Sequence, residues 1–475
     1  MRVLLINPPV ARMIRTVLPA GVEKNRGSSP PLGLLYIASM LRNRGVADVS
    51  VLDAQAEGLL LPQIRQRIRE LRPSLAGITA MTFTLPDVLD CASAVKDLFP
   101  EVPVVVGGPH AGIYPRLTLE HHPAIDFVLR GESEASFCLL VQALGGRGSL
   151  DAVPGLTYRR SDGIRENAPG EPAEDLDSLP LPARDLLDPG LYTSVLSGAS
   201  RVTTMITGRG CPYRCTFCYR PPWDMRYRAR SAPGVVAEMA ACADMGIGEI
   251  FFYDDTFNLR RSRVIDICRE VLRQGLRVGW DARCRVDLLD AELLGWMRRA
   301  GCRRLHLGVE TGSPRQMESC RKGIRLDQAR EAFDLARLAG IDTLAYFMLG
   351  FPGETEEEMT ETIRFALSLP ARYAQFAVVL PFPGTELYAS EQRGAPPGWD
   401  PWKRFAAHPD RDFHPPRARG PVSDRRLESI LRRAYRVYYR RPSYLLRSLA
   451  GVRSWQELEQ KGRVGLRILF GGNAR

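Results

Sequence analysis

Three cysteines lie close together in the stretch CPYRCTFC, at positions 211, 215 and 218. A structural zinc ion usually takes four ligands, and the chain offers no second CxxC and no nearby histidine to complete such a set. A tetranuclear iron-sulfur cluster has four irons, so three thiolates leave one iron open to a substrate or cofactor. Cys211, Cys215 and Cys218 are therefore predicted to bind a 4Fe-4S cluster and to place it in a catalytic site.

The composition is that of a globular protein. The chain has 475 residues, of which 45% are hydrophobic and 25% charged, which leaves room for two or three domains. The N-terminal MRVLLINPPV ends its apolar run at Pro8-Pro9, so it predicts a buried strand and not a signal peptide. No apolar stretch approaches the roughly 18 to 20 residues that span a bilayer. We therefore expect a cytoplasmic protein, in which the seven cysteines outside the cluster are buried hydrophobes.

The elements that must position these residues begin in residues 1–147 with alternating strands and helices. Strongly apolar runs predict strands at 3–9, 49–54, 76–82, 102–108 and 125–131, with amphipathic helices between them. This alternation predicts a Rossmann-like parallel sheet covered on both faces, which binds ligands beyond the carboxyl ends of its strands. The candidate residues there are Asn7, Asp53, Thr82, Gly107, Gly108, His110, Gly131 and Glu132. For the glycines, turn chemistry alone is the alternative.

A second alternation fills residues 200–390. Six strands are predicted, at 202–210, 249–257, 277–286, 303–311, 342–353 and 374–384, which suits a partial (β/α)6 TIM-type barrel. Barrels carry their chemistry on the loops after each strand, and the cysteine loop follows the first. Residues 148–199, rich in proline and with a hairpin predicted at Asp162-Gly163, are interpreted as a linker, and residues 391–475 as a basic helical region. The predicted fold class is α/β.

The cysteine loop resembles that of the radical S-adenosylmethionine (SAM) superfamily over residues 200–390. The resemblance rests on the Cx3Cx2C spacing, on Phe217 before the last cysteine and on the six-strand context. It implies that SAM chelates the open iron and is cleaved to a 5'-deoxyadenosyl radical.

The same resemblance implies SAM-binding residues elsewhere in the barrel. They are Tyr253, Asp254 and Asp255 for the amino group, Arg283 and Arg285 for the carboxylate, Glu310 for the ribose and Gly350 for the adenine. A strand-end turn or a surface ion pair is the alternative for each. Tyr219 and Trp223 could wall a substrate pocket or cover the cluster. His306 is interpreted as a core histidine with satisfied hydrogen bonds rather than an acid or base.

The N-terminal sheet, with VVGGPHAG and IDFVLRGESE, resembles the cobalamin-binding domain of cobalamin-dependent radical SAM enzymes. The resemblance implies that the eight candidate residues of this sheet bind cobalamin. The DxHxxG signature of other cobalamin proteins is missing, because His110 has no aspartate two residues before it. Cobalt ligation by His110 is therefore not implied, and the lower face is left to water or to a non-coordinating side chain.

Together, the two resemblances imply a methyltransferase that moves a methyl group through methylcobalamin to an unactivated carbon of a small molecule. An anaerobic oxidative cyclase with the same cofactors is the alternative. A methylthiotransferase is set aside because residues 1–147 hold only Cys91 and Cys138, too few for a second cluster. A non-catalytic cobalamin-binding regulator would leave the three thiols unexplained. An electron donor such as flavodoxin or ferredoxin is the expected partner.

The net charge of +11 is concentrated in residues 424–475, which hold 13 Lys and Arg against 4 Asp and Glu. Residues 423–451 carry leucines and tyrosines at helical spacing among arginines, which favours a helix packed on the barrel. Contact with an anionic membrane surface, or with an amphiphilic or carboxylate-bearing substrate, is the alternative. Nucleic acid is not expected, since no binding motif accompanies the charge.

Overall fold

The structure is a computed structural model that describes residues 1–14, 27–221, 225–442 and 444. Its N-terminal part is a seven-stranded sheet in the order β2-β1-β3-β4-β5-β6-β7. The strands are β1 (Arg2–Asn7), β2 (Asp48–Asp53), β3 (Leu75–Thr79), β4 (Val104–Gly107), β5 (Phe127–Leu129), β6 (Leu156–Arg160) and β7 (Gly163–Glu166). The first five are parallel, and β6 and β7 form an antiparallel hairpin beside β5.

Helices cover both faces of this sheet. They are α1 (Leu32–Asn43), α2 (Leu61–Leu71), α3 (Leu85–Leu98), α4 (Pro109–Ile113), α5 (Pro115–His121) and α6 (Glu134–Leu144). Alternate residues of β1 enter different cores: Leu5 packs with α1 and α6, whereas Leu4 and Ile6 pack with α2 and α3. The predicted doubly covered parallel sheet is therefore confirmed.

The second sheet has six parallel strands in the order β8-β11-β12-β13-β14-β15. They are β8 (Val202–Met205), β11 (Glu249–Phe252), β12 (Gly279–Cys284), β13 (Cys302–Glu310), β14 (Asp342–Leu349) and β15 (Tyr373–Val378). The short strands β9 (Gly208–Arg209) and β10 (Arg228–Ala229) pair with each other as a separate antiparallel sheet. The helices of this part are α7 (Ala232–Asp244), α8 (Arg261–Gln274), α9 (Ala291–Arg299), α10 (Pro314–Ser319), α11 (Leu326–Leu338), α12 (Glu356–Ser368) and α13 (Glu386–Arg393). The six-stranded partial barrel matches the expectation.

The segment 148–199 differs from the predicted surface linker. Its hairpin, which was predicted around Asp162-Gly163, extends the N-terminal sheet, and it buries Leu156 and Tyr158 in the core on the α1 and α6 side. Farther along, Arg184 is 7% exposed and forms an ion pair with Glu238 at 2.6 Å. Because a buried charge needs a partner, this contact ties the segment to α7. The segment is therefore packed between the two sheets.

The C-terminal part joins both sheets. Helix α14 (Pro401–Ala407) inserts Trp402 into the N-terminal core, with its ring 5.6 Å from that of Phe83. Helix α15 (Asp424–Tyr439) packs on β15, where the Tyr435 hydroxyl donates to the Phe376 carbonyl at 2.9 Å. This packing matches the favoured interpretation of 423–451 as far as the helix extends. Residues 445–475, with the rest of the predicted tail, lie outside the described residues, and among those described no helix is long and apolar enough to cross a membrane.

Candidate active site

The three clustered cysteines lie on the loop that follows β8 and β9. The Thr216 amide donates to the Cys320 carbonyl at 3.0 Å, and the Leu387 amide donates to the Thr216 carbonyl at 2.9 Å, so the loop is fixed from both sides. The Cys211 thiol lies 3.6 Å from the Thr256 hydroxyl. Backbone hydrogen bonds therefore hold the loop in one conformation.

The electrostatic surroundings show that the thiols are neighbours. Burial raises the pKa of Cys215, and the charges of Lys322 and Arg285 oppose that rise. Cys218 is the most exposed of the three as a residue, yet desolvation of its thiol, with the charges of Cys215 and Cys211, raises its pKa to about 12. Thiolate ligands in such a place are stabilised once positive metal ions bind them.

The fit to a cluster can be tested on the same loop. In the part of the chain that the structure describes, no three His, Cys, Asp or Glu side chains could hold one metal ion. A 4Fe-4S cluster does not require this, because each thiolate binds a different iron and the thiolates stand farther apart than ligands of a single ion. Three mutually interacting thiols on one fixed loop therefore fit a cluster better than a single ion.

The residues after β11 have two different roles. Asp254 is 1% exposed and accepts hydrogen bonds from the Thr207 amide and hydroxyl, both at 2.6 Å, so it fixes the turn after β8. Tyr253 and Asp255 face a cavity instead. Burial raises the pKa of Asp255, and the charges of Arg283 and Arg220 oppose that rise. Of the predicted trio, Tyr253 and Asp255 line the cavity and Asp254 does not.

The two predicted arginines have different partners. Arg283 lies with its guanidinium 4.0 Å from the centre of the Tyr253 ring, beside the cavity. Arg285 is 5% exposed, pairs with Asp287 at 2.9 Å and stacks 3.5 Å from the Tyr213 ring. Because Arg285 is already paired, Arg283 is the better placed of the two to bind a carboxylate.

Glu310 ends β13 in a left-handed conformation with φ at 75°, and its carboxylate accepts from the Lys322 ammonium at 2.7 Å. Sequence reasoning missed Lys322, since a lysine after a short helix carries no signature of its own. Gly350 has φ at 85°, and its amide donates to the Glu354 carboxylate at 2.6 Å. The ring of Phe217 lies 6.2 Å from that of Phe351, so the cysteine loop packs on this glycine turn.

A cavity of about 470 Å³ lies between the carboxyl ends of the two sheets. The N-terminal sheet contributes Gly107, Gly108, Gly131 and Glu132 to its wall, and the barrel part contributes Gly208, Arg209, Gly210, Tyr219, Pro221, Tyr253 and Asp255. The cavity thus brings four residues predicted to bind cobalamin together with two residues predicted to bind SAM. Trp223 lies outside the described residues.

The cavity continues as a groove along one face of the N-terminal sheet, between α1 and α6. Gly77 of β3 lines it, and a Cβ atom there would come within 2.8 Å of the Leu5 side chain and 3.1 Å of the Phe137 ring. Gly33 of α1 lines the opposite side, with open space where its Cβ would be. Gly33 thus leaves open space for an extended part of a ligand, whereas Leu5 and Phe137 occupy the space beside Gly77.

Four residues predicted to bind cobalamin do not line this cavity. Asp53 accepts from the Asn7 amide at 2.7 Å and from the Tyr192 hydroxyl at 2.8 Å, so its carboxylate holds the end of β2 in place. His110 is fully buried between the hydroxyls of Thr82 and Thr118, at 3.1 and 3.3 Å. Burial lowers the pKa of His110 to about 3, which keeps the ring neutral. Asn7, Asp53, Thr82 and His110 thus have structural partners and lie outside the cavity lining, and their assignment as ligand contacts stays a prediction.

Glu132 links the N-terminal sheet to the β9–β10 pair at the edge of the cavity. Its carboxylate accepts from Arg228 of β10 at 3.1 Å and pairs with Arg209 of β9 at 2.9 Å, and Arg209 also pairs with Glu134 at 2.7 Å. Burial would raise the pKa of Glu132, but the hydrogen bonds and charges of the two arginines outweigh it and lower that pKa. The carboxylate therefore stays ionised and closes the cavity on one side.

Comparison with known families agrees with this division of the chain. A model described as the radical SAM superfamily matches residues 205–366. A model described as the B12 binding domain matches residues 20–141. The two matches fall on the two sheets whose edges form the cavity.

Similar proteins extend over nearly the whole chain. An uncharacterized methyltransferase, PH0819, of Pyrococcus horikoshii is 34% identical over 94% of this chain and 95% of that protein. The anaerobic magnesium-protoporphyrin IX monomethyl ester cyclase of Rubrivivax gelatinosus is 31% identical over 82% of this chain and 69% of that protein. The solved structure of OxsB, a cobalamin-dependent SAM radical enzyme with aqua-cobalamin bound, superposes with a TM-score of 0.74 at 18% identity, over 98% of this chain and 72% of that one. The fold is thus shared with a cobalamin-dependent enzyme.

Proposed function

The chain belongs to the cobalamin-dependent radical SAM superfamily, and from that premise we propose that it transfers a methyl group through cobalamin to an unactivated carbon of a small-molecule substrate. The cofactors of the family are a 4Fe-4S cluster, SAM and cobalamin. When bound, they supply a carbon-centred radical from SAM and a methyl group carried on cobalt. Membership of this family is compatible with methyl transfer and with cyclisation.

The observation that carries the proposal is the single cavity shared by both sheets. Its walls combine glycines of the N-terminal sheet with Tyr253 and Asp255 of the barrel, beside the loop of Cys211, Cys215 and Cys218. Methyl transfer to a substrate radical requires the methyl donor and the radical source to reach the same carbon atom. One cavity between the two binding regions meets this requirement.

Particular residues are proposed to hold each cofactor. Gly107, Gly108 and Gly131 would let the broad ring system of cobalamin approach the backbone, and the groove at Gly77 would take its nucleotide tail. Arg283 would pair with the SAM carboxylate, as its position beside Tyr253 allows.

The surrounding residues would also keep water out. The ion pairs between Glu132 and the barrel arginines close one side of the cavity, which favours a dry site. A radical formed in such a site is protected from side reactions. The low-potential electron is proposed to come from a flavodoxin or ferredoxin.

The deciding experiment measures two products of SAM together. The protein is reconstituted anaerobically with iron, sulfide and cobalamin, supplied with SAM and a strong reductant, and assayed for 5'-deoxyadenosine and S-adenosylhomocysteine. A methyltransferase yields both, because one SAM is cleaved and another donates its methyl group. If protein that is shown to hold the cluster and cobalamin formed neither of the two products, that result would contradict the proposal.

The cyclase remains the second candidate because a cyclase is among the similar proteins, at 31% identity. It uses SAM only as the radical source, so it would yield deoxyadenosine without S-adenosylhomocysteine. An oxidised substrate with no added methyl group, detected by mass spectrometry, would favour it.

A further inference from the structure

The inner face of the partial barrel is polar and partly open. On β13 the residues that face the helices, Leu305 and Leu307, are fully buried, whereas the alternate residues His306 and Gly308 are half-buried. On β14 the same alternation buries Phe347 and leaves its inner neighbours half-buried. Ordinary barrels fill this interior with bulky apolar side chains. Here the inner-facing residues His306, Gly308, Tyr346 and Met348 are only partly buried, and the face that they form is called the trough below.

Three polar side chains form a connected row across this trough. The His306 Nε2 atom lies 3.0 Å from an Asp281 carboxylate oxygen, and its Nδ1 atom lies 2.7 Å from the Tyr346 hydroxyl. Asp281 is 3% exposed and also pairs with Arg304 at 3.2 Å. The row crosses β12, β13 and β14 and rises from the buried carboxylate to the half-buried phenol.

The chemistry of the row fixes the direction of its hydrogen bonds. An ionised carboxylate only accepts, and the neighbouring Arg304 stabilises the charge of Asp281, so Nε2 of His306 must carry the hydrogen. In neutral His306 the Nδ1 atom then has only a lone pair, and it accepts the hydrogen of the Tyr346 hydroxyl. The remaining lone pairs of the Tyr346 oxygen can therefore only accept a hydrogen bond.

Tyr346 is also placed near the cofactor region. Its partner in register on β13 is Gly308, and a side chain at Gly308 would collide with the Glu310–Lys322 ion pair. Burial raises the pKa of Tyr346, and the nearby charge of Arg283 opposes that rise. Tyr346 thus lies near Arg283, which is proposed to bind SAM.

We propose that the Tyr346 oxygen is a substrate-binding subsite that accepts a hydrogen bond from a hydroxyl or amino group of the substrate. His306 is a positioning residue that holds the phenol hydrogen, and Asp281 holds His306 in the required tautomer. The inference rests on the proposed function for the existence of a small-molecule substrate, and it adds the class of group that this substrate must carry. A substrate with only acceptors at that place would leave the Tyr346 oxygen unpaired and bind more weakly.

The tautomer can be measured on the full-length holoprotein labelled with 15N-histidine. The chain has six histidines, so the His306 signals are assigned as those missing from His306→Gln. We expect a protonated Nε2 and an unprotonated Nδ1 that accepts a hydrogen bond. In Tyr346→Phe the Nδ1 signal should move to the value of a free lone pair. A protonated Nδ1 in the wild-type protein would overturn the inference.

The subsite itself can be probed with two isomers, 1-propanol and ethyl methyl ether. They have the same molecular formula, but only 1-propanol has a hydroxyl group that can donate a hydrogen bond. The alcohol should shift the His306 Nδ1 signal, because a donor on the Tyr346 oxygen strengthens the hydrogen bond to His306. The ether should not shift it, and neither should act on Tyr346→Phe. Tyr373→Phe, which removes another tyrosine hydroxyl from the adjacent strand, should keep the response to the alcohol.

Equal shifts with both probes, no shift with the alcohol, or a shift that persists in Tyr346→Phe would each overturn the subsite. These measurements do not depend on turnover. Deoxyadenosine and S-adenosylhomocysteine formation by the wild-type protein separately decides the proposed function, so the failure of one is distinguishable from the failure of the other.

Discussion

The two walls of the central cavity are built in opposite ways. The barrel wall presents polar and charged side chains, such as Tyr253 and Asp255, together with Gly210, which precedes the cysteine loop. The wall of the N-terminal sheet combines the glycines Gly107, Gly108 and Gly131 with apolar side chains such as Leu5 and Phe137. One wall is suited to reaction and to charge, and the other to a large ligand that needs room. Changes that fill the N-terminal wall should therefore act differently from changes that remove groups from the barrel wall.

The largest expected effect comes from removing a thiol of the cysteine loop, which adjoins the barrel wall. In Cys215→Ala we expect deoxyadenosine formation to fall by at least about a thousandfold, because two thiolates hold the cluster poorly and SAM cleavage requires it. Cobalamin binding should persist, since its proposed contacts lie on the other sheet. The measurements are deoxyadenosine by chromatography and bound cobalamin by absorption after desalting.

Cys320→Ala is the matched control for that change. Cys320 is 1% exposed and its carbonyl supports the cluster loop, but its thiol lies against the Met317 carbonyl at 3.4 Å. This variant should keep its iron-sulfur absorption and its SAM cleavage. Full activity in Cys215→Ala, or equal loss in both variants, would contradict the assignment of the three ligands.

A smaller effect is expected from a substitution that fills space at the N-terminal wall. Here cobalamin binding should be weakened while SAM cleavage continues. Gly33→Leu places a side chain in the open groove and should weaken cobalamin binding by about a hundredfold, on the order of 3 kcal/mol. The substitution should not destabilise helix α1, because leucine has a better helix propensity than glycine by roughly 0.5–1 kcal/mol. Deoxyadenosine formation should continue while S-adenosylhomocysteine formation falls.

Gly295→Leu controls for the substitution itself. Gly295 also lies in a helix with open space around its Cβ position, but it does not line the cavity. It should bind cobalamin as the wild type does. If both variants or neither lost cobalamin, the groove between α1 and α6 would not be the cobalamin site.

The difference between the walls also explains what the sequence could predict. The cysteine spacing identifies its own chemistry, because few other arrangements use three thiols on one loop. Polar residues at strand ends do not identify a binding site in the same way, because the same residue types also form hydrogen bonds that hold strand ends in place, as Asp53 does with Tyr192. His110 faces inward on a short helix, and no spacing in the sequence indicates that direction. Contacts made across the fold, such as that of Lys322 with Glu310, could not be predicted from local patterns.

The fold itself was largely predictable, for a physical reason. Parallel strands covered on both faces are rich in apolar residues, so all eleven parallel strands could be recognised in the sequence. The segment 148–199 was misjudged because its prolines and charges resemble those of a surface loop. Its buried residues, such as Arg184, depend on partners distant in the sequence, here Glu238 of α7.

The smallest predicted effect concerns the contact between the two walls. Glu132→Gln removes the charge that pairs with Arg209 and Arg228, and we expect a loss of about 2 kcal/mol of unfolding free energy at neutral pH. The sign of its pH dependence follows from the lowered pKa of Glu132 in the folded protein. A carboxylate of this kind stabilises the fold above its unfolded pKa of about 4.3, and that stabilisation disappears as the pH falls through the folded value.

The difference between wild type and Glu132→Gln in urea unfolding should therefore be constant near neutral pH and shrink only below about pH 4.3. Glu270→Gln is the control, because Glu270 pairs with Arg273 on an exposed helix surface, where such pairs contribute little to stability. A difference for Glu132→Gln that grew as the pH fell would contradict the ionised contact. A difference no larger than that of Glu270→Gln would mean that the two walls are held together by packing, chiefly by Trp402 in the N-terminal core. The N-terminal sheet and the barrel would then be held together by packing of the C-terminal helices and not by ion pairs.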